Sequence, residues 1–350
     1  MDNAGEILVR QVHAGDGDGA DIVFEFNGQR MDVSIFPSLS RPGQVKPSLE
    51  DRLINLLGRA TSPDTDDDEY EDIVDEVLET ILDAGSHIFS EAAPTPSTDG
   101  IDLHSLVFPP THVFRLETVD ENAAIVRIDP EEKYTSSSFD RNDFDSFEED
   151  FHIDTTLPVH LTRKILVQEV YVQGAGNTAA LVQVDSTKLF CKVHTGATRF
   201  MDSSVGRELA SLQTIRSIWS SAPDNQVRVP QLMGYVRQHG TGRIVGFLRQ
   251  WVPGQHLRDY DIASISRERR QKWASQVCEA VELLHWQGLI WGDGKASNVI
   301  IDEEDDAWLI DFGGGFTEGW IDAHLENSVE GDKQAVRSIL AFLDLAGIGK

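Results

Sequence analysis

The sequence predicts an α+β protein in which a β-rich stretch precedes a helical one, with an N-terminal α+β extension ahead of both. Three observations predict it. From Arg163 to Val193 the chain carries three successive strand patterns, and Arg267 to Trp286 carries one long helical pattern. Residues 1–160 mix hairpin and helix signals with strongly acidic runs, and read as a separate region.

The 350 residues allow two or three structural units. A hydrophobic fraction of 40% and an aromatic fraction of 8% suit an ordinary globular core. The two cysteines, Cys191 and Cys278, both lie in apolar segments, which points to buried free thiols in a reducing compartment. With no signal-like apolar segment and no run near the ~20 residues of a membrane span, the expectation is a soluble, intracellular, cytoplasmic protein. A net charge of −29 excludes nucleic acid and anionic membrane as partners, because both call for basic surfaces. It does not exclude a nucleotide, since Mg²⁺ and one or two local cations can reverse the field within a site.

In the N-terminal region, Ile22 to Phe36 alternates around Asn27-Gly28, a short-range hairpin signal. Leu49 to Leu57 and Ile73 to Leu82 have helical spacing, and Gly85 is the expected stop of the second. The acidic run Asp64 to Glu79 reads as a solvated or disordered segment, and so does Asp140 to Asp154. Asp64-x-Asp66-x-Asp68 has the look of a calcium loop, but Glu69 occupies the place that needs Gly, so it is rejected. Ala92 to Gly100 is a linker candidate. Ser137 to Phe151 interleaves Phe139, Phe144, Phe147 and Phe151 with acids, as a flexible acidic linker, an intramolecular clamp or a partner motif would.

Farther on, Ile165 to Val172, Ala179 to Val184 and Lys188 to Val193 read as an antiparallel meander turning at Asp185-Ser186-Thr187. Ser204 to Ile218 reads as a helix, and Gly242 to Val252 as a strand running into Pro253-Gly254. The long helix then leads through Gly288 into Ile290-Trp291-Gly292-Asp293-Gly294-Lys295-Ala296-Ser297-Asn298, followed by strands Val299 to Asp302 and Ala307 to Ile310. If Glu304 and Asp305 centre the intervening turn, Asn298 lies opposite Asp311. A carboxylate to orient a hydroxyl (Asp293), a cation (Lys295) and two oxygen ligands for Mg²⁺ (Asn298, Asp311) are the residue types that phosphoryl transfer from ATP needs.

Four motifs in order carry a resemblance: Leu189-Phe190-Cys191-Lys192-Val193, Glu208 within Gly206-Arg207-Glu208-Leu209, Asp293-x-Lys295-x-x-Asn298, and Asp311-Phe312-Gly313. Residues from about 163 to 345 resemble the protein-kinase-like superfamily, which includes the protein kinases and the aminoglycoside-phosphotransferase type of small-molecule kinase. The wording around Gly292 and after Asp311 looks most like kinase-like proteins of filamentous fungi. The resemblance implies a two-lobed fold: an accessory region at 1–160, a small lobe at 161–252 and a shortened large lobe at 253–350.

It also implies roles. Lys192 would pair with the α- and β-phosphates of ATP, and Glu208 would hold Lys192. Asp293 would be the catalytic base, Lys295 would neutralise the transferring phosphoryl group, and Asn298 and Asp311 would hold Mg²⁺. Gly174 and Gly176 lie in Gln173-Gly174-Ala175-Gly176-Asn177-Thr178-Ala179, read equally as a phosphate-binding loop or a plain hairpin turn. Gln250, Trp251 and Val252 are placed to offer adenine backbone hydrogen bonds.

Two departures narrow the expectation. Trp291 and Gly292 stand where regulated protein kinases have His and Arg, so activation by phosphorylation is not expected. Asp332 begins an expected last helix, Asp332 to Ala346, with no further helices to grip a peptide. The function implied is an ATP- and Mg²⁺-dependent kinase, with Ser/Thr of a protein as the leading substrate. The alternatives are a small-molecule hydroxyl kinase and an ATP-binding pseudokinase acting as an interaction module.

Overall fold

The computed structural model describes residues 7–15, 18–38, 47–94, 100–119, 122–129, 152–174, 176–196, 198–219 and 227–345. The chain divides into two compact units, one of Met1–Asp99 with Phe108–Phe147 and the other of Gly100–Val107 with Glu148–Lys350. Its secondary structure is mixed α+β. No helix among the described residues is long and apolar enough to cross a membrane. The Phe-rich stretch 137–151 lies outside the described residues.

The first unit is a five-stranded sheet in sequence order, β1 (Leu8–Ala14), β2 (Ala20–Phe26), β3 (Gln29–Ile35), β4 (Thr111–Val119) and β5 (Asn122–Arg127). Asn27 and Gly28 both have positive φ, +51° and +74°, so β2 and β3 join through the tight mirror-image turn that matches strand twist. β3 and β4 pair in parallel, which demands a long crossover. Helices α1 (Leu49–Ala60) and α2 (Asp67–Ala92) fall within it. Their apolar faces, among them Leu53, Leu57, Val77, Ile81 and Phe89, bury against Ile22, Phe24, Met31, Val33 and Phe114 of the sheet.

Two expectations are corrected here. The acidic run is ordered from Asp66 on: Asp66 accepts from Glu69 N, and Asp67, Asp68 and Glu69 fill the first turn of α2. Carboxylates there complement the unsatisfied N–H groups and positive end of the helix. Nor does Gly85 stop this helix, which continues to Ala92. A Cβ on Gly85 would lie 2.6 Å from the Phe89 ring and 2.7 Å from Ile125, so the glycine admits close packing of helix on sheet.

The second unit opens with a short helix, α3 (Leu103–Val107), and a six-stranded sheet. Its strands are β6 (Val159–Leu161), β7 (Leu166–Gly174), β8 (Asn177–Val184), β9 (Thr187–His194), β10 (Leu232–Arg237) and β11 (Ile244–Gln250), in spatial order β6-β10-β11-β9-β8-β7. The β8–β9 turn is the two residues Asp185 and Ser186. Helix α4 (Ser204–Trp219) packs on this sheet through Val205, Leu209, Leu212 and Ile215.

A small sheet follows, of β12 (Gly254–His256), β13 (Val299–Asp302) and β14 (Ala307–Leu309), flanked by α5 (Arg267–Trp286) and α6 (Val329–Phe342). Both Cys191 and Cys278 are free, Cys191 buried and Cys278 half-buried. The last helix begins three residues before the expected start because Ser328 caps it, accepting from Gly331 N.

Candidate functional site

β9 alternates, burying Leu189, Cys191 and Val193 and turning Phe190 and Lys192 to the other face. Across from Lys192, α4 presents Glu208, whose side chain is 1% exposed. Lys192 Nζ donates to Glu208 Oε2 at 2.5 Å and to Asp311 Oδ1 at 2.8 Å. One ammonium thus joins strand, helix and the segment after β14. Asp311 has φ +65°, a conformation uncommon for a side-chain-bearing residue, and it is maintained by these surroundings. Arg207 of α4 fastens the next turn by donating to Gly313 O at 2.8 Å.

A second cation stands behind this pair. Arg249 of β11 is 2% exposed, its Nε is 4.0 Å from Glu208 Oε1, and its guanidinium sits 3.9 Å over the Phe190 ring. The four buried or half-buried charges balance in sign. Burial pushes the Glu208 carboxyl above its ordinary value, against the pull of Lys192. Burial acts against the Lys192 ammonium too, but Glu208 and Asp311 together raise it. Burial alone would raise Asp311, yet Lys192 beside it holds that carboxyl below the usual carboxylate range.

The second cluster lies in the loop between α5 and β13. Lys295 Nζ donates to Asp293 Oδ2 at 2.5 Å and to Thr317 Oγ1 at 2.8 Å, while Thr317 Oγ1 donates to Asp293 Oδ1 at 3.0 Å. Asn298 Nδ2 donates to Asp293 O at 2.8 Å and approaches Asp293 Oδ2 at 3.3 Å. The loop itself hangs on Asp332 of α6, which is wholly buried and accepts from Trp291 N, Gly292 N and His285 Nε2, each at 2.8 Å. The Trp291 indole donates to Ile310 O at 2.8 Å, tying the loop to the end of β14.

The expected register of the β13–β14 hairpin is off by one. Val299 faces Leu309 and Ile301 faces Ala307, so Asn298 lies opposite Ile310, whose N–H it accepts at 3.0 Å. The turn is three residues, Glu303 to Asp305, with Asp305 at φ +65°. Asp311 therefore follows one residue beyond the pair, free to turn toward Lys192.

Among the described residues no group of three or more His, Cys, Asp or Glu is placed to hold a metal ion. The oxygen donors on offer are Asn298 Oδ1, left over by its amide nitrogen's bonds, and the second oxygen of Asp311. Such a set fits Mg²⁺, which keeps waters and takes one or two carboxylates together with substrate phosphates.

The remaining expected residues fall as follows. Gly174 and Gly176 form the β7–β8 hairpin end. Gly176 has φ +76°, and a Cβ there would come within 2.3 Å of Gly196, so glycine is required by close backbone approach. Gly174 has open space beside it. At Gln250, expected beside a base, the backbone N–H donates to Gln231 O and the C=O accepts from Arg249. The Val252 side chain is buried with Ile300 and Ile310. Beside it Trp251, Phe190 and Tyr171 bring their rings together at nearly parallel tilt.

Sequence reasoning missed Thr317, Arg249 and the anchoring role of Asp332. None carries a spacing signal, because each reaches the site from a distant element.

The site is thus two polar clusters in a mixed α+β unit, one built on a shared lysine and one on a lysine-bound aspartate. No family model matches the chain. It is similar in part to curated kinases: 34% identical over 88 residues to Maternal embryonic leucine zipper kinase of Xenopus laevis, covering 24% of this chain and 14% of that protein. It is 33% identical over 66 residues to the protein named "Probable serine/threonine-protein kinase KIN1 homolog" of Encephalitozoon cuniculi, covering 18% of this chain and 12% of that protein. The Xenopus tropicalis counterpart of the first is 35% identical over 79 residues, 22% of this chain and 12% of the relative. The matched part of the chain therefore has a protein-kinase-like relationship, and it spans only 12% to 14% of the length of these relatives.

Proposed function

We propose that the second unit is an ATP- and Mg²⁺-dependent phosphotransferase acting on a hydroxyl group, with Ser or Thr of a protein as the leading substrate. In this reading residues 161–252 act as a kinase-like small lobe and 253–350 as a large lobe, with the nucleotide between them. The observation that supports it best is Lys192 shared between Glu208 and Asp311. A buried cation held by a helix carboxylate, next to a carboxylate with an uncommitted oxygen, suits a phosphate-bound metal better than a structural ion pair. The partial similarity to proteins named as kinases points the same way.

Asn298 and Asp311 would hold Mg²⁺, which would neutralise phosphate charge. Lys192 would give up part of its contact with Asp311 to the phosphates while Glu208 keeps it in place. Asp293 would orient the hydroxyl and accept its proton, held in position by Thr317 and Lys295. Lys295 would also offset charge on the transferring group.

The test is phosphate transfer from labelled MgATP to a Ser/Thr peptide library and to a panel of small hydroxyl compounds. Wild-type protein transfers label and Asp293→Asn does not; the set that is labelled names the substrate class. MgATP raises the unfolding temperature by mass action. Stabilisation by MgATP with no Asp293-dependent transfer would establish the interaction-module reading instead, and no stabilisation would end the nucleotide reading.

A further inference from the structure

We propose that Arg249 is a positioning residue of the nucleotide site, whose charge frees Lys192 to hold phosphate and so sets the affinity for MgATP. The inference rests on the nucleotide reading of Lys192 and Asp311 and deepens it.

The charges around Lys192 call for a second cation. Its one ammonium meets two carboxylates, Glu208 Oε2 at 2.5 Å and Asp311 Oδ1 at 2.8 Å. Those three groups alone carry surplus negative charge, which would repel the phosphates of a nucleotide. The chain as a whole, at −29, offers no positive background to offset it. Arg249 cancels the surplus from within the sheet.

Strand pairing puts the arginine there. Lys192 of β9 faces Phe247 of β11 and Phe190 faces Arg249, so Lys192 and Arg249 are diagonal neighbours on one face. The guanidinium lies 3.9 Å over the Phe190 ring, and its Nη1 donates to Gln250 O at 3.2 Å. Ring and carbonyl together hold the charge in one place. At 2% exposure, water screens it little.

Glu208 has one oxygen for each cation. Oε2 accepts from Lys192, and Oε1 lies 4.0 Å from Arg249 Nε. Glu208 Oε1 and Arg249 Nε are both buried, and neither has a hydrogen-bond partner among the described residues. Buried polar atoms left in that state are uncommon and costly. A small turn of the carboxylate closes the two into a charge-assisted hydrogen bond. Arg249 then balances Glu208, and the Lys192 ammonium is left to face Asp311 and the phosphates.

The experiment is equilibrium binding of MgATP to the full chain, measured by calorimetry for wild type, Arg249→Lys and Arg249→Gln. Lysine keeps the charge and gives up the fit over Phe190, whereas glutamine keeps an N–H donor and gives up the charge. Losing one buried charge that faces a polyanion changes affinity by about tenfold or more. Arg249→Lys should therefore stay near wild type, with Arg249→Gln about tenfold or more weaker than Arg249→Lys. Thermal unfolding without nucleotide confirms that each variant folds, and Arg249→Met takes the place of Arg249→Gln if that one does not. A smaller difference between the charged and the uncharged variant makes Arg249 a packing residue only. That result overturns the inference and leaves the nucleotide site standing. Absence of MgATP binding by the wild type overturns both.

Discussion

Lys192 Nζ and Glu208 Oε2 lie 2.5 Å apart, with the glutamate side chain 1% exposed and the lysine 17% exposed. Neither charge is stable in that place alone, and each is the other's reason for being there. A buried charge stripped of its partner typically costs ~3–5 kcal/mol, far more than the pair contributes over a neutral replacement.

Lys192→Met should therefore destabilise the second unit by about 3 kcal/mol, moderated by Arg249, the remaining cation near Glu208. Lys192→Met combined with Glu208→Gln should be clearly less destabilised than the sum of the single variants. Denaturant unfolding of the four proteins checks this; additive losses would show that the pair is not coupled.

Asp293 and Thr317 make a catalytic prediction. Thr317→Val removes the hydroxyl that joins Lys295 to Asp293, and Thr317→Ser keeps it. Loss of a hydrogen bond to a charged group amounts to ~1.5–3 kcal/mol, or a ten- to hundredfold fall in phosphate transfer. The serine variant should retain most of the wild-type rate. Equal rates for valine and serine would show that the hydroxyl has no part in the reaction.

Asp332 holds the loop from inside α6. Asp332→Asn replaces an acceptor of three N–H groups by an amide with one acceptor oxygen and a mismatched NH₂. A loss of about 2–4 kcal/mol is expected, along with weaker phosphate transfer, since Asp293 follows directly on Gly292. Denaturation midpoints and transfer rates measured together check both effects.

The hairpin after Asn298 should be acid-sensitive. Hydrogen bonds from Arg269, then its charge, hold the Asp305 carboxyl below the usual carboxylate range. For Asp306 the bonds come from Gln276 and then Lys272. A depressed carboxylate contributes stability that is present above its unfolded value, ~4, and lost as pH falls through the lower folded value. Unfolding temperatures measured from pH 7 down to pH 2 should fall less steeply for Asp305→Asn with Asp306→Asn than for wild type. Parallel curves would mean that these ion pairs do not couple to folding.

Much of this architecture is legible in the residues because it is local. Asn27-Gly28 can take two positive φ values, so the turn and its register follow from the dipeptide. Arg267 to Trp286 has a serine cap at Ser266 and helical spacing, and the helix has those same ends. The acidic stretch around Asp66 leaves order and disorder open, because charge density reports solvation and these carboxylates are exposed in either case. Whether such a solvated run is helical depends on the apolar face farther along, from Ile73 to Phe89, that gives the helix something to pack against.

Residue order alone sets which chemistry-bearing residues the chain carries and which short turns and helices present them. Their partners come from packing: Lys192 between Glu208 and Asp311, Thr317 against Asp293, Asp332 beneath Trp291 and Gly292, Arg249 against Phe190. Local rules reach a few residues along the chain, where backbone dihedrals and side-chain periodicity act. Those partners are 16 to 119 residues from Lys192, 24 from Asp293 and 41 from Trp291. They meet only because buried charges and N–H groups must find counterparts once the apolar faces have closed around them.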